Sequence, residues 1–269
     1  MKFSESQIER YSRQLILKEI GGKGQGKILQ GRVLVVGAGG LGSPCALYLA
    51  AAGVGTIGIV DGDRVELSNL QRQIIHFTAD LGREKILSAE EKIVALNPDI
   101  RVATHSFRIR ADNIRPLIKE YDFIIDGTDN FPAKFLINDA CVMEGKPFSQ
   151  AGILRWYGQA MTYVPGNACY RCVYSAPPPA GSVPSCSQAG ILGAVAGILG
   201  SIQAAEALKF LTGAGELLTN RLLLVDALAM DFNIIDTVRQ DHCPACGEHP
   251  VAQLEDEETT CMGNNDGPR

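Results

Sequence analysis

The sequence predicts an α/β fold, a mostly parallel sheet with helices on both faces and an antiparallel extension in its C-terminal half, and three observations predict it. An apolar, β-branched run over 32–36 leads into the turn Gly37-Ala38-Gly39-Gly40-Leu41-Gly42 and then into an Ala/Leu-rich stretch ending at Ala52. Strand, glycine turn and helix in that order aim backbone N–H groups and a positive helix dipole at one anion. A second such run, 56–60, ends at Asp61, about twenty residues past the glycines, where a Rossmann-like fold puts a carboxylate on ribose hydroxyls. Beyond residue 150 come two C-x-x-C pairs, Cys169/Cys172 and Cys243/Cys246, whose four thiolates suit a closed, structural zinc site.

Length and charge narrow the class. At 269 residues the chain is long for one α/β domain and short for two, which predicts one domain with an appendage. A net charge of −5, without a long basic run, argues against nucleic acid as the partner. No signal peptide is evident, and the most apolar stretch, near 189–202, is shorter than the roughly 18 to 20 residues of a membrane span. A cytoplasmic protein with no membrane contact is therefore expected, a setting in which paired cysteines favour metal over disulfides.

In chain order, residues 5–19 carry Ile8, Tyr11, Leu15 and Ile16 at helical spacing, with Arg10 and Arg13 on the polar side. On the residues alone, Arg13 reads as a solvated charge on a packed helix. Gly21 to Lys27 fits G-x-x-x-x-G-K, but Ile28 stands where a P-loop needs Ser or Thr and no buried strand precedes it. The stretch reads as a flexible glycine loop. After Asp61-Gly62-Asp63 comes the polar segment Ser68-Asn69-Leu70-Gln71-Arg72-Gln73, just past a strand end, where open α/β sheets bind ligands. Arg72 suits a bidentate grip on phosphate oxygens, with Asn69 and Gln73 orienting neighbours; an ordinary polar loop is the competing reading.

A helix starting at 81–85 stops at Asn97-Pro98 and holds Lys85 in its first turn, against the dipole, which gives a bound anion a motive. A strand is expected over 100–106 and a helix over 114–121. The strand from Phe123 ends at Asp126-Gly-Thr-Asp129-Asn130. Two aspartates at a strand's carboxyl end suit Mg²⁺, Asp129 being the better ligand, while Asp126 can equally cap the turn or the helix near Pro132. Strands follow over 147–150 and 156–164. A proline-rich crossover over 175–188 contains Cys186, just before a glycine-rich helix over 189–211. A thiol there is a candidate nucleophile, or simply a free cysteine. Strands over 222–226 and 231–238 end the fold, with a disordered tail over 251–269.

Together, Tyr-Ser-Arg13-Gln, the glycine turn, Asp61-Gly-Asp63, Asn69-Leu-Gln-Arg72-Gln73, Lys85, Asp-Gly-Thr-Asp129-Asn130 and the cysteine knuckles resemble the MoeB/ThiF/HesA family, bacterial relatives of ubiquitin-activating enzymes. The resemblance runs from about Glu5 to Gly247 and implies an adenylyltransferase. Such enzymes use ATP and Mg²⁺ to activate the C-terminal Gly-Gly carboxylate of a ubiquitin-like sulfur carrier, for molybdopterin or thiamine synthesis. It divides the chain into an N-terminal helix and glycine loop (1–30), a nucleotide-binding half (31–150), a carrier-binding half with the crossover and zinc knuckles (151–250) and the tail (251–269). It implies that Gly37, Gly39, Gly40 and Gly42 with Asp61, Asp63, the 68–73 segment and Asn130 hold the nucleotide. Arg72 and Lys85 would clamp phosphates and Asp129 would hold Mg²⁺. Arg13 would act from the other subunit of a homodimer, and Cys186 falls where some members bond covalently to the carrier and others do not. The sulfur donor is expected to be a separate protein, a cysteine desulfurase or a rhodanese-like protein. The competing readings are an NAD(P)-dependent oxidoreductase, which gives Arg72, Lys85 and Asp129 no joint task, and a non-catalytic zinc scaffold that binds the carrier.

Overall fold

The computed structural model describes residues 3–179, 182, 189–248, 250 and 253–256. Eight strands form one sheet: β1 (Arg32–Val36), β2 (Thr56–Val60), β3 (Arg101–His105), β4 (Phe123–Asp126), β5 (Phe148–Leu154), β6 (Tyr157–Tyr163), β7 (Arg221–Asp226) and β8 (Asp231–Asp236). Their spatial order is β3-β2-β1-β4-β5-β6-β7-β8. The five strands from β3 to β5 pair in parallel, and β6, β7 and β8 add on antiparallel, as expected. The order reverses between β1 and β4, so their carboxyl ends open the crevice in which sheets of this kind bind ligands.

The helices are α1 (Glu5–Arg10), α2 (Ser12–Leu15), α3 (Gly21–Gln30), α4 (Gly42–Ala52), α5 (Lys85–Leu96), α6 (Ile114–Lys119), α7 (Phe131–Met143), α8 (Tyr170–Val173) and α9 (Gly193–Thr212). Val33 and Val35 of β1 bury into a core with α3, α4, α5 and α9, whereas Leu34 and Val36 bury into the core beneath α6 and α7. An all-apolar β1 is the consequence of a strand covered on both faces. Helix α9 is the one described helix long and apolar enough to cross a membrane. Here it lies against the sheet: Gln203 donates to the carbonyls of Asp126 and Ser149, and buried Glu206 accepts from Thr162 and Leu218 N–H. A Cβ at Gly200 would fall 2.4 Å from the Leu41 carbonyl oxygen, so α9 meets the start of α4 backbone to backbone.

Two expectations are corrected. The single N-terminal helix is broken at Tyr11 (φ −97°, ψ 10°), because the ring turns inward: Tyr11 is 1% exposed, its hydroxyl accepts from Asn97 Nδ2 at 2.9 Å, and it fills the space beside Gly53. The expected glycine loop is the helix α3. Its glycines cost about 1 kcal/mol each in helical propensity, offset where Gly24 lets Ile20 and Thr212 approach, Gln25 donates to Ala52 O, and Lys27 donates to Thr212 O. Of the expected disordered tail, 253–256 is described: Leu254 packs on the α6–α7 core and Asp256 accepts from Ala111 N–H. Cys186 and residues 257–269 lie outside the described residues.

Candidate active site

The glycine turn is built by backbone contacts that side chains would forbid. Gly37 has φ 94° and donates to Val60 O, and a Cβ at Gly42 would sit 1.9 Å from the Gly37 carbonyl oxygen. The loop after β4 closes on the same turn, with Gly127 N–H on Val36 O and a Cβ there only 3.0 Å from Gly37 O. Gly39 is open: a Cβ would meet nothing nearer than Gln73 Nε2 at 3.8 Å. The turn, the start of the eleven-residue helix α4 and the β4 loop thus share the switch point of the sheet, where backbone N–H groups and the dipole favour an anion.

Asp61 braces this turn. Its two oxygens accept from Ala38 N–H and Asp63 N–H, each at 2.8 Å, and a carboxylate keeps further lone pairs for hydroxyl donors. Lys85 is buried at the start of α5, its ammonium 3.3 Å from Asp63. Arg108, which no motif singles out, meets Asp63 at 2.9 Å from the other side. Partial burial works to raise the Asp63 carboxyl, but Lys85 and Arg108 outweigh it and hold it below the usual carboxylate range. Arg72 is half-buried, its methylenes beside Gly40 and its Nη1 donating to Ser68 O at 3.0 Å.

The 68–73 segment is folded into a short helical turn. Asn69 is buried and accepts from Glu66 N–H, Ser68 meets Glu66, Leu70 is half-buried and Gln71 exposed. Gln73 is buried with its Oε1 unpartnered. On the β4 loop the two aspartates separate cleanly. Asp126 is fully buried: Thr128 N–H and Oγ1 occupy one oxygen and Lys134 Nζ, at 3.0 Å, the other. Asp129 is exposed and makes no hydrogen bond or ion pair with any described residue. Asn130 caps α7 through Ala133 N–H.

Arg13 is not brought to this crevice. Its neighbour Gln14 donates to Ala52 O at the last turn of α4, about 15 Å from the glycine turn along an eleven-residue helix. Arg13 is exposed, and no described residue pairs with it.

The four knuckle cysteines do converge. All four Sγ atoms lie within 4.8 Å of one another, with 3.4 Å between Cys172 and Cys246 and 3.5 Å between Cys169 and Cys243. A tetrahedron of thiolates about 2.3 Å from zinc needs S···S separations of about 3.8 Å, so the donor set fits that ion. N–H groups of Gln240 and Cys246 point at Cys172 and Cys243 sulfurs, and a bidentate Arg171–Asp139 pair ties the first knuckle to α7. The cluster follows Tyr163, which pairs with Phe148 at the amino end of β5. That is the end of the strands opposite the glycine turn, which suits a structural site.

The sequence and the fold both have known relatives. The ThiF family pattern matches residues 11–245. A sulfur carrier protein adenylyltransferase of Thermus thermophilus is 43% identical over 268 residues, covering 97% of this chain and 99% of that protein. A SAMP-activating enzyme E1 of Haloferax volcanii is 44% identical over 256 residues, 95% of each chain. A probable adenylyltransferase/sulfurtransferase MoeZ of Mycobacterium tuberculosis is 51% identical over 243 residues, 88% of this chain but only 62% of its own length. Among solved structures, E. coli MccB with MccA-N7isoASN superposes with a TM-score of 0.79 at 24% identity, covering 91% of this chain and 76% of that one, a likeness of fold. With the match spanning the sheet, the crevice and both knuckles, the chain belongs to the ThiF family.

Proposed function

We propose that the protein is an ATP-dependent adenylyltransferase that activates the C-terminal glycine carboxylate of a ubiquitin-like sulfur carrier of the MoaD/ThiS type. One arrangement carries the reading: an open glycine turn at the switch point, Arg72 packed on Gly40, Lys85 paired to Asp63, and Asp129, exposed and without a partner among the described residues, on the loop after β4 that closes on the turn. In the reaction a carrier carboxylate oxygen bonds to the α-phosphorus of ATP, the bond to the β-phosphate oxygen breaks, and pyrophosphate leaves. Two anions must meet, so the task of this chain is to spread and offset negative charge. The turn's N–H groups and the α4 dipole bind phosphate, Asp61 accepts from the ribose, and Arg72 and Lys85 face the phosphoryl oxygens. Asp63 holds Lys85 in place until the nucleotide arrives. Mg²⁺, held by Asp129, would supply further charge neutralisation of the phosphates.

The site is complete only in a homodimer. Arg13 reaches the crevice of the partner, and the surface around it supports this: Ile8, Ile16, Leu17 and Tyr48 are large apolar side chains between 47% and 72% exposed, beside a groove lined by Gln14, Ala51, Ala52 and Ser201. The carrier meets the C-terminal half, and zinc on the four cysteines braces that half without taking part in chemistry. A separate protein delivers sulfur, in the molybdopterin or thiamine route. ATP, free thiolates and a diffusing carrier suit the cytoplasm. ATP–pyrophosphate exchange with Gly-Gly-ended carriers tests the proposal: exchange that depends on carrier and Mg²⁺ is expected, and none with several such carriers would overturn it. A thermal shift with NAD and none with ATP would restore the oxidoreductase reading.

A further inference from the structure

We propose that His76 is a positioning residue, latching the Ala38–Gly39 peptide so that Gly39 N–H faces the nucleotide phosphates; this rests on the ATP site proposed above. His76 is 3% exposed, and its two ring nitrogens bridge two parts of the site: Nε2 is 2.9 Å from the Ala38 carbonyl oxygen and Nδ1 is 2.9 Å from Ser88 Oγ. A carbonyl only accepts, so Nε2 carries the proton, while Nδ1 meets the Ser88 hydroxyl, which also lies against Asp80. Burial pushes the imidazole below its ordinary range; the Ala38 hydrogen bond, Asp61 and Asp80 oppose that shift and Lys85 reinforces it. The donor to Ala38 is present in either protonation state.

In a trans peptide the C=O and the following N–H point in opposite directions, and the described chain has no cis bond. Holding Ala38 O on His76 therefore turns Gly39 N–H away from His76. The peptides on either side are held too: Ala38 N–H is on Asp61, and Gly39 O accepts from Ser43 N–H at 2.9 Å and Ser43 Oγ at 2.6 Å. Glycine tolerates both signs of φ, so the peptide entering Gly39 is the one most free to flip. A flip would exchange an N–H donor for a carbonyl oxygen facing a phosphate. Ser88, the other anchor of the ring, stands three residues after Lys85 on α5. One buried imidazole thus braces the turn and the phosphate-facing lysine against the same helix.

The test compares His76→Leu, which keeps volume and loses the donor, with His76→Gln, which keeps an N–H at similar reach. Mg-ATP affinity by calorimetry and the exchange KM and kcat are the measurements, with melting temperature as the control. His76→Leu should weaken ATP binding and raise the ATP KM about tenfold, leave the carrier KM within about twofold, and be rescued to within about threefold by His76→Gln. Unchanged ATP affinity in His76→Leu, or equal losses in both variants, overturns the latch. Should His76→Leu not fold, Ser88→Ala frees the ring without changing it and must raise the ATP Kd at least about threefold; an unchanged Kd overturns the proposal. A wild type that binds ATP without exchanging pyrophosphate overturns the adenylation reading and leaves the His76 comparison of Kd values decisive. A wild type that does not bind ATP overturns both.

Discussion

Asp126 and Asp129 lie three residues apart on one loop, and replacing each by asparagine should give opposite phenotypes. Asp126→Asn removes the charge facing Lys134, whose side chain is 7% exposed and whose ammonium otherwise bonds, among the described residues, the Ala151 carbonyl. Breaking a buried pair by neutralising one partner costs about 3 to 5 kcal/mol, because the other charge stays buried and unpaired. For a domain of this size each kcal/mol is about 2 to 4 °C, so the melting temperature should fall by roughly 6 °C or more. Asp129 has no partner among the described residues to lose, and an exposed substitution of that kind stays within about 0.5 kcal/mol. Its loss should instead appear in carrier-dependent ATP–pyrophosphate exchange, by about a hundredfold or more, the scale of removing one preorganised charge-stabilising group. Scanning calorimetry and the exchange assay on both variants decide the matter. An Asp129→Asn protein exchanging at near wild-type rate would refute its metal role, and an Asp126→Asn protein melting within 2 °C of wild type would refute the buried-pair argument.

Mixing Arg13→Ala and Asp129→Asn subunits should restore about a quarter of wild-type activity, since half of randomly paired dimers are mixed and each mixed dimer has one intact site; a mixture as inactive as its parents rules out action across the dimer. Elemental analysis should find one zinc per chain, and a Cys243→Ser variant should lose both the metal and several degrees of melting temperature; a full-length protein without zinc that melts as the wild type does would refute the structural site. Asp80 is held at about 2 because Lys92 and the Phe77 N–H outweigh the effect of burial. Its folded-state pKa is depressed, so its contribution to stability is complete above the unfolded carboxylate range near 4 and is lost as pH falls toward 2. Asp80→Asn should flatten the stability curve there, and an unchanged acid limb between those values would contradict the reasoning.

What the sequence made legible, and what it hid, follows from which interactions are local. Strands β1 and β2 were readable to the residue because both of their faces are buried, leaving apolar runs rich in valine and isoleucine. The glycine turn at the switch point was readable because it is built of backbone, and only glycine permits that close approach. Helix α3 was hidden by its own glycines: propensity says loop, and the contacts with Thr212 and Ala52 that override it come from distant sequence. Spacing already favoured Asp129 over Asp126 as the ligand but left Asp126 open as a cap; what occupies Asp126 is Lys134, in the first turn of the next helix and invisible as a partner until that helix is folded back. Tyr11 read as one apolar position among several, yet its burial on Asn97 and Gly53 breaks the N-terminal helix and sets where Arg13 emerges. His76 gave no signal at all, because a lone histidine among isoleucines is most often a satisfied core residue. It is satisfied here as well, by Ala38 and Ser88, and it is the identity of those partners, a phosphate-site carbonyl and the helix of Lys85, that moves it from packing to function.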